Sequence, residues 1–134
     1  MHAKGFSHRD IKLENILLNT LTLEPKVCDL GFAESEIGLV PRTMGTCGYM
    51  APELQKETTA GILQNERIEA EILKASDVFA LGVSLFILNF AHPPFLSTKN
   101  EDNCPYWLCV NAGRWSKIWR ACEKNGIVRS NELK

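Results

Sequence analysis

The sequence predicts a mainly α-helical domain with a small β-hairpin region, and three stretches carry that expectation. Residues 78–90 are apolar almost throughout. Residues 105–124 place Trp107, Leu108, Val110, Trp115, Ile118, Trp119 and Cys122 at spacings that suit helices. Residues 15–19 and 26–28 are short and strand-like, with turn residues between them.

In chain order, the two strands come first. The connecting turn over 20–25 keeps Pro25 in the loop or at a strand edge, because proline has no N–H to give a ladder. Residues 29–53 hold three glycines beyond Gly31 and two prolines with little periodicity, so they read as a loop. Residues 62–75 are rich in Glu, Leu, Ile and Ala and let Ile68, Ile72 and Leu73 share one helix face. The apolar run 78–90 is broken by Gly82 and Ser84 and falls short of the ~20 residues a membrane span needs. Ser76 and Asp77 offer N-cap chemistry just before it, so a central buried helix over about 76–91 is expected. His92-Pro93-Pro94-Phe95 then ends it, since proline cannot continue a helix. Two short amphipathic helices, broken near Gly113, complete the chain.

Composition removes several function classes. The 134 residues suit one small domain, and 45% hydrophobic residues are enough for a core. A net charge of −1 gives no footprint for nucleic acid and no polybasic membrane anchor. The first six residues lack the apolar stretch of a signal peptide. The five cysteines are odd in number, and no two form a Cys-x-x-Cys pair. Neither a zinc site nor a disulfide framework is indicated, and a cytoplasmic or otherwise intracellular location is expected.

The chemistry gathers in His8-Arg9-Asp10-Ile11-Lys12-Leu13-Glu14-Asn15. Here one short loop carries an acid that can orient a hydroxyl, a cation that can neutralise a phosphate, and an amide that can hold a divalent ion. Asp29-Leu30-Gly31 and Ala51-Pro52-Glu53 follow in that order. On these motifs the chain resembles the eukaryotic protein kinase family, of the serine/threonine type. The wording of residues 45–53 is most like the calcium/calmodulin-regulated and AMP-activated-like branches.

The resemblance implies a kinase C-terminal lobe over residues 1 to about 125, with catalytic loop 8–15 and activation segment 29–53. The glycine-rich phosphate loop, the strand lysine with its glutamate partner and the adenine hinge would all precede residue 8, so the N-lobe is expected to be absent. The helices that close such a lobe, with an arginine partner for Glu53, would follow the last residue. A catalytic-lobe fragment, inactive alone, is therefore expected. The alternative is a non-catalytic kinase-like binding or scaffold module. A small-molecule phosphotransferase is disfavoured by residues 46–53, which resemble a peptide-docking stretch.

The same resemblance assigns roles, with ATP and Mg2+ as cofactors and a protein substrate as partner. Asp10 meets the substrate hydroxyl, Lys12 a phosphate, and Asn15 and Asp29 the metal. Leu17 lies beneath the adenine, while on its own it is a strand residue facing a core. Cys28 either lines the nucleotide pocket or is a small buried hydrophobe. Lys12 two residues after Asp10 marks serine/threonine specificity, and Thr46 bonds both. Thr46 and Glu53 belong to the substrate platform, and His8, Arg9 and Asp77 are structural. Asp77 either accepts hydrogen bonds from the loop backbone or is an exposed cap. Thr43 is the candidate phosphosite, paired with Arg9 and set by an upstream kinase, or else a solvated residue. Leu30 stands where the family usually has Phe and is expected to face the core. An insertion lies at about 57–72, docked outside the lobe or disturbing the platform.

Overall fold

A computed structural model describes residues 1–35, 39–41, 44–55, 65–99 and 103–124. Within them the chain is mostly helical, with three two-stranded antiparallel sheets. Strands β1 (Phe6–Ser7) and β4 (Glu34–Ser35) form one sheet. β2 (Ile16–Leu18) and β3 (Pro25–Val27) form the second, with Ile16 opposite Val27 and Leu18 opposite Pro25. β5 (Leu39–Pro41) and β6 (Asn65–Arg67) form the third. The helices are α1 (Ala70–Phe90), α2 (Pro105–Asn111) and α3 (Trp115–Lys124).

The expected hairpin is present, and Pro25 ends its ladder opposite Leu18, where a missing N–H is tolerated. Asn19 closes the turn by accepting the backbone N–H groups of Leu21 and Thr22 on its side chain. The break at Gly113 between α2 and α3 is also present, with φ of 66° in the left-handed region that glycine adopts at little cost. α1 stops at Phe90, and Ala91 turns left-handed while its N–H reaches the Ile87 carbonyl. No helix among the described residues is long and apolar enough to cross a membrane.

Five expectations need correction. The central helix begins at Ala70, not near residue 76: Glu69 occupies the cap position, and Ile72 and Leu73 of the first turn pack with Leu54. Ser76 and Asp77 are thus interior: Ser76 bonds back to the Leu73 carbonyl, and Asp77 reaches across to the loop. Residues 62–75 are not one helix, since Asn65–Arg67 is strand β6 and pairs with β5, while 62–64 lie outside the described residues. Ile68, Leu73 and Ile72 still meet, packed with Leu54. Residues 29–53 are not all loop, because β4, β5 and a 3-10 turn at Pro52–Leu54 interrupt them. Pairings of two or three residues carry no periodic signal. Leu30 and Leu17 do not face a core, each being 60% exposed. A turn closed by Ala33 N–H on the Leu30 carbonyl presents Leu30 outward. Finally, α1 is not buried all round: Val78, Leu81, Leu85 and Leu88 are exposed. They recur at the three- and four-residue steps of a single helical stripe.

The opposite side of α1 builds the core. Val83 packs with Phe95, Cys104 and Trp107, and Phe90 packs with Ile118 and Cys122 of α3. Rings stack through this region, with Phe79 on Phe95 at 5.8 Å and Phe95 edge-on to Trp107 at 5.3 Å.

Candidate active site

Residues 8–15 have almost no regular structure of their own, so polar bonds from elsewhere must fix them. Asp77 supplies the first set. Its carboxylate accepts the backbone N–H groups of His8 and Arg9, each at 2.8 Å, and the His2 ring nitrogen at 2.8 Å. Asp77 is therefore an anchor rather than an exposed cap. Arg9 has φ of 70°, a left-handed conformation that costs a non-glycine residue about 1 kcal/mol. The two Asp77 bonds hold that turn in place. The Arg9 side chain is buried; desolvation lowers its pKa, while the charges of Glu34 and Asp77 act the other way. Glu34 reaches this spot because β4 pairs with β1.

His8 ties the loop to the hairpin. Its ring nitrogen meets the Cys28 carbonyl at 3.0 Å, and the Cys28 N–H donates to the Asn15 carbonyl at 2.9 Å. Asp29 follows directly, exposed and left-handed at φ 62°, with its carboxylate accepting the Gly31 N–H. Asp is one of the few residues that adopt this region readily.

Asp10 is the hub. Thr46 donates both its backbone N–H, at 2.9 Å, and its hydroxyl, at 2.7 Å, to Oδ1. Lys12 Nζ lies 2.7 Å from Oδ2 and donates to the Thr46 hydroxyl at 2.9 Å. Asn15 Nδ2 donates to the Asp10 carbonyl at 2.9 Å and to Oδ2 at 3.2 Å. Burial pushes the Asp10 carboxyl up, but the hydrogen bonds from Lys12 and Thr46 and the Lys12 charge outweigh it, and the net pKa lies below 3.8. The hydrogen bond to Asp10 raises Lys12 above 10.5. Both groups are charged near neutrality.

Gly45 makes this contact possible. Its φ is 115°, and a Cβ there would stand 2.5 Å from the Arg9 carbonyl oxygen. Only glycine lets the segment before Thr46 lie flat on the loop.

The donor set at the hairpin fits a hard divalent cation. Magnesium takes one or two carboxylates, with waters and phosphate oxygens completing its shell. Asp29 offers an exposed carboxylate; Asn15 has committed its nitrogen to Asp10, leaving its amide oxygen as the accepting end. No group of three or more His, Cys, Asp or Glu side chains among the described residues could hold a metal. No disulfide joins the five cysteines, and the Cys28 thiol donates to the Asn15 carbonyl.

The structure thus gathers His8, Arg9, Asp10, Lys12, Asn15, Thr46 and Asp77, and places Asp29 at the loop's edge beside Cys28. Leu17 stands apart on the exposed hairpin face, and Glu53 lies in the 3-10 turn after Ala51. Thr43 lies outside the described residues. Sequence reasoning missed His2 and Gly45. Only Gly45 left a trace, as a glycine immediately before the site threonine.

Comparison with known proteins gives the family of the chain. Residues 1–124 match the protein kinase domain family. The chain is 34% identical over 141 residues to CBL-interacting protein kinase 24 of Oryza sativa subsp. japonica, covering 96% of this chain and 28% of that protein. It is 34% identical over 122 residues to human calcium/calmodulin-dependent protein kinase type 1B, covering 80% of this chain and 32% of that protein. It is 32% identical over 113 residues to human MAP kinase-activated protein kinase 5, covering 78% of this chain and 24% of that protein. The chain spans about a third or less of the length of these relatives.

Proposed function

Because the chain belongs to the protein kinase domain family, we propose that residues 8–15, 29–35 and 44–53 are the catalytic loop and substrate-receiving segment of a serine/threonine kinase. In this reading they form part of a C-terminal lobe that works when a complete domain is present. The observation that carries it is the triangle of Asp10, Lys12 and Thr46, in which one threonine bonds both charged groups.

Asp10 orients the acceptor hydroxyl. With its pKa held down, it is a weak base early in the reaction, so it accepts the proton late, once the oxygen has become acidic by bonding to phosphorus. Lys12, paired with Asp10, would offset the charge of an incoming phosphate. Thr46 fixes the distance between them and links that distance to the docked peptide. Asn15 and Asp29 would hold magnesium, which when bound would offset phosphate charge at this end of the loop. Leu17, exposed on β2, offers an apolar surface to the nucleotide base. Positioning and charge neutralisation supply most of the acceleration in such a site.

The test joins this chain to the N-terminal lobe of the calcium/calmodulin-dependent type 1B relative and measures γ-phosphate transfer to serine, threonine and tyrosine peptides. Transfer to serine or threonine is expected. Asp10→Asn should lower kcat by about 10³-fold while sparing nucleotide affinity, whereas Asp29→Asn should weaken Mg-ATP binding as well. A chimera that transfers phosphate equally well with Asp10→Asn would overturn the assignment.

A further inference from the structure

The backbone at residues 49–50 spans two cores. Met50 packs against the cluster of Leu54, Ile68 and Leu73, whereas Tyr49 packs against that of Val83, Phe95, Cys104 and Trp107. Apolar packing is non-directional, so it leaves the peptide between them free to shift. A polar contact removes that freedom. The Met50 carbonyl accepts the Gln55 side-chain amide at 3.1 Å and the Thr98 hydroxyl at 2.9 Å. The Gln55 amide nitrogen also donates to the Thr98 hydroxyl oxygen, which closes a ring of three groups. Both side chains are buried, Gln55 at 6% and Thr98 at 3% exposure. Thr98 belongs to the segment after α1, which meets the same stretch again at Gly48: a Cβ there would stand 3.6 Å from the Leu96 carbonyl oxygen. The Gln55 nitrogen is fully used, yet its Oε1 is buried with no partner among the described residues. An unpaired buried acceptor costs free energy that an apolar side chain of the same length would avoid.

We propose that Gln55 and Thr98 are positioning residues of the peptide-receiving segment, a clamp that sets residues 46–50 against the segment after α1. The inference rests on the phosphotransfer reading for its consequence, but not for its geometry. From Met50 the placement passes along a short stretch of backbone. The Tyr49 N–H donates to the Thr46 carbonyl at 3.1 Å, and the Thr46 hydroxyl joins Asp10 and Lys12. That triangle carries bonds of its own, including the Thr46 N–H on Asp10. Release of the clamp therefore displaces the surface that receives the peptide, while the acid and the cation keep their distance. Its signature is weaker peptide binding with little change in the chemical step.

Amide hydrogen exchange on the 134-residue chain reads the clamp at the Tyr49 N–H without needing activity. In Gln55→Met and in Thr98→Val that amide should exchange about fivefold faster, the worth of one hydrogen bond, while His8 and Arg9, held by Asp77, stay unchanged. Thr98→Ser keeps the hydroxyl and should exchange like the unsubstituted chain. Gln55→Met also removes the unpaired oxygen, so its urea midpoint should not fall although the turn is looser. Adding Thr98→Val to Gln55→Met should give less than the product of the two effects, since both loosen one ring. Unchanged Tyr49 exchange in both single variants would overturn the proposal, as would equal acceleration at Tyr49 and throughout α1 and α3. In the active chimera, Thr98→Val should raise the KM for a serine peptide about fivefold and Thr98→Ser should not, with kcat and the KM for ATP changed less than about twofold. A peptide KM unchanged in both Thr98→Val and Gln55→Met would also overturn it. A chimera that never transfers phosphate, beside the expected exchange result, would reject the kinase reading and leave the clamp standing.

Discussion

Asp77 and Phe90 lie on the same helix, yet the regions they hold together are built by different forces. Around Asp77 the contacts are hydrogen bonds from backbone N–H groups and side chains to two carboxylates, its own and that of Asp10. Around Phe90 they are ring faces and aliphatic groups, from Phe86, Trp119, Ile118 and Cys122. Burial of apolar surface is non-directional and tolerates small shifts. Hydrogen bonds to a carboxylate fix distance and direction to a few tenths of an ångström. A loop that holds an acid and a cation in fixed relation, as Asp10 and Lys12 are held, needs the second kind of contact. The helices supply the rigid base on which it rests.

The two regions should therefore fail separately. The largest effect is expected in the aromatic region. Trp107→Ala removes a buried ring that meets both Phe79 and Phe95 edge-on and should cost about 4 kcal/mol in urea unfolding. Asp77→Asn comes next, at about 2 kcal/mol, because the His8 and Arg9 N–H groups lose a charged acceptor. Thr46→Val should cost about 1 kcal/mol of stability, since Asp10 loses one hydroxyl donor but keeps the backbone N–H and Lys12.

Acid should separate the regions further. Asp10 is more acidic in the folded chain than in the unfolded one, so its contribution is complete above pH 3.8 and is lost as pH falls through the lower, folded pKa. Lys12 is raised, so its contribution is complete below 10.5 and is lost as pH climbs through the higher value. Asp10→Asn should remove the acid-side loss and leave the aromatic region's response unchanged, as read by near-ultraviolet circular dichroism. The smallest effect on stability is expected at the exposed stripe of α1. Leu88→Glu should change unfolding free energy by less than about 0.5 kcal/mol. It should still lower self-association in sedimentation, because Val78 and Leu88, 62% and 66% exposed, lie on one apolar face. That face borders a groove of about 510 Å³ lined by Met1, Ile16, Val27 and Leu81.

Legibility in the sequence divided along the same line. The helical ends at 105–124, the hairpin and the Gly113 break were readable, since each leaves a periodic or turn-residue signal. The loop residues Asp10, Lys12, Asn15 and Thr46 were readable because they are contiguous or motif-bound, and the structure brings them together. What could not be read was set by tertiary contact. The start of α1 at Ala70 depends on Ile72 and Leu73 packing with Leu54. The pairing of β5 with β6 depends on segments more than twenty residues apart meeting. His2 carries no local pattern, and its role exists only because Asp77 lies beneath it. Leu17 and Leu30 misled because apolar residues on short strands and turns look buried until the opposing surface is known.

Residue-resolved amide exchange in Asp77→Asn at neutral pH tests most directly whether the loop is held by the carboxylate rather than by the core. The account predicts that the His8 and Arg9 amides lose about tenfold or more of their protection while those of α1 and α3 keep theirs. Protection lost evenly across loop and helices would contradict it.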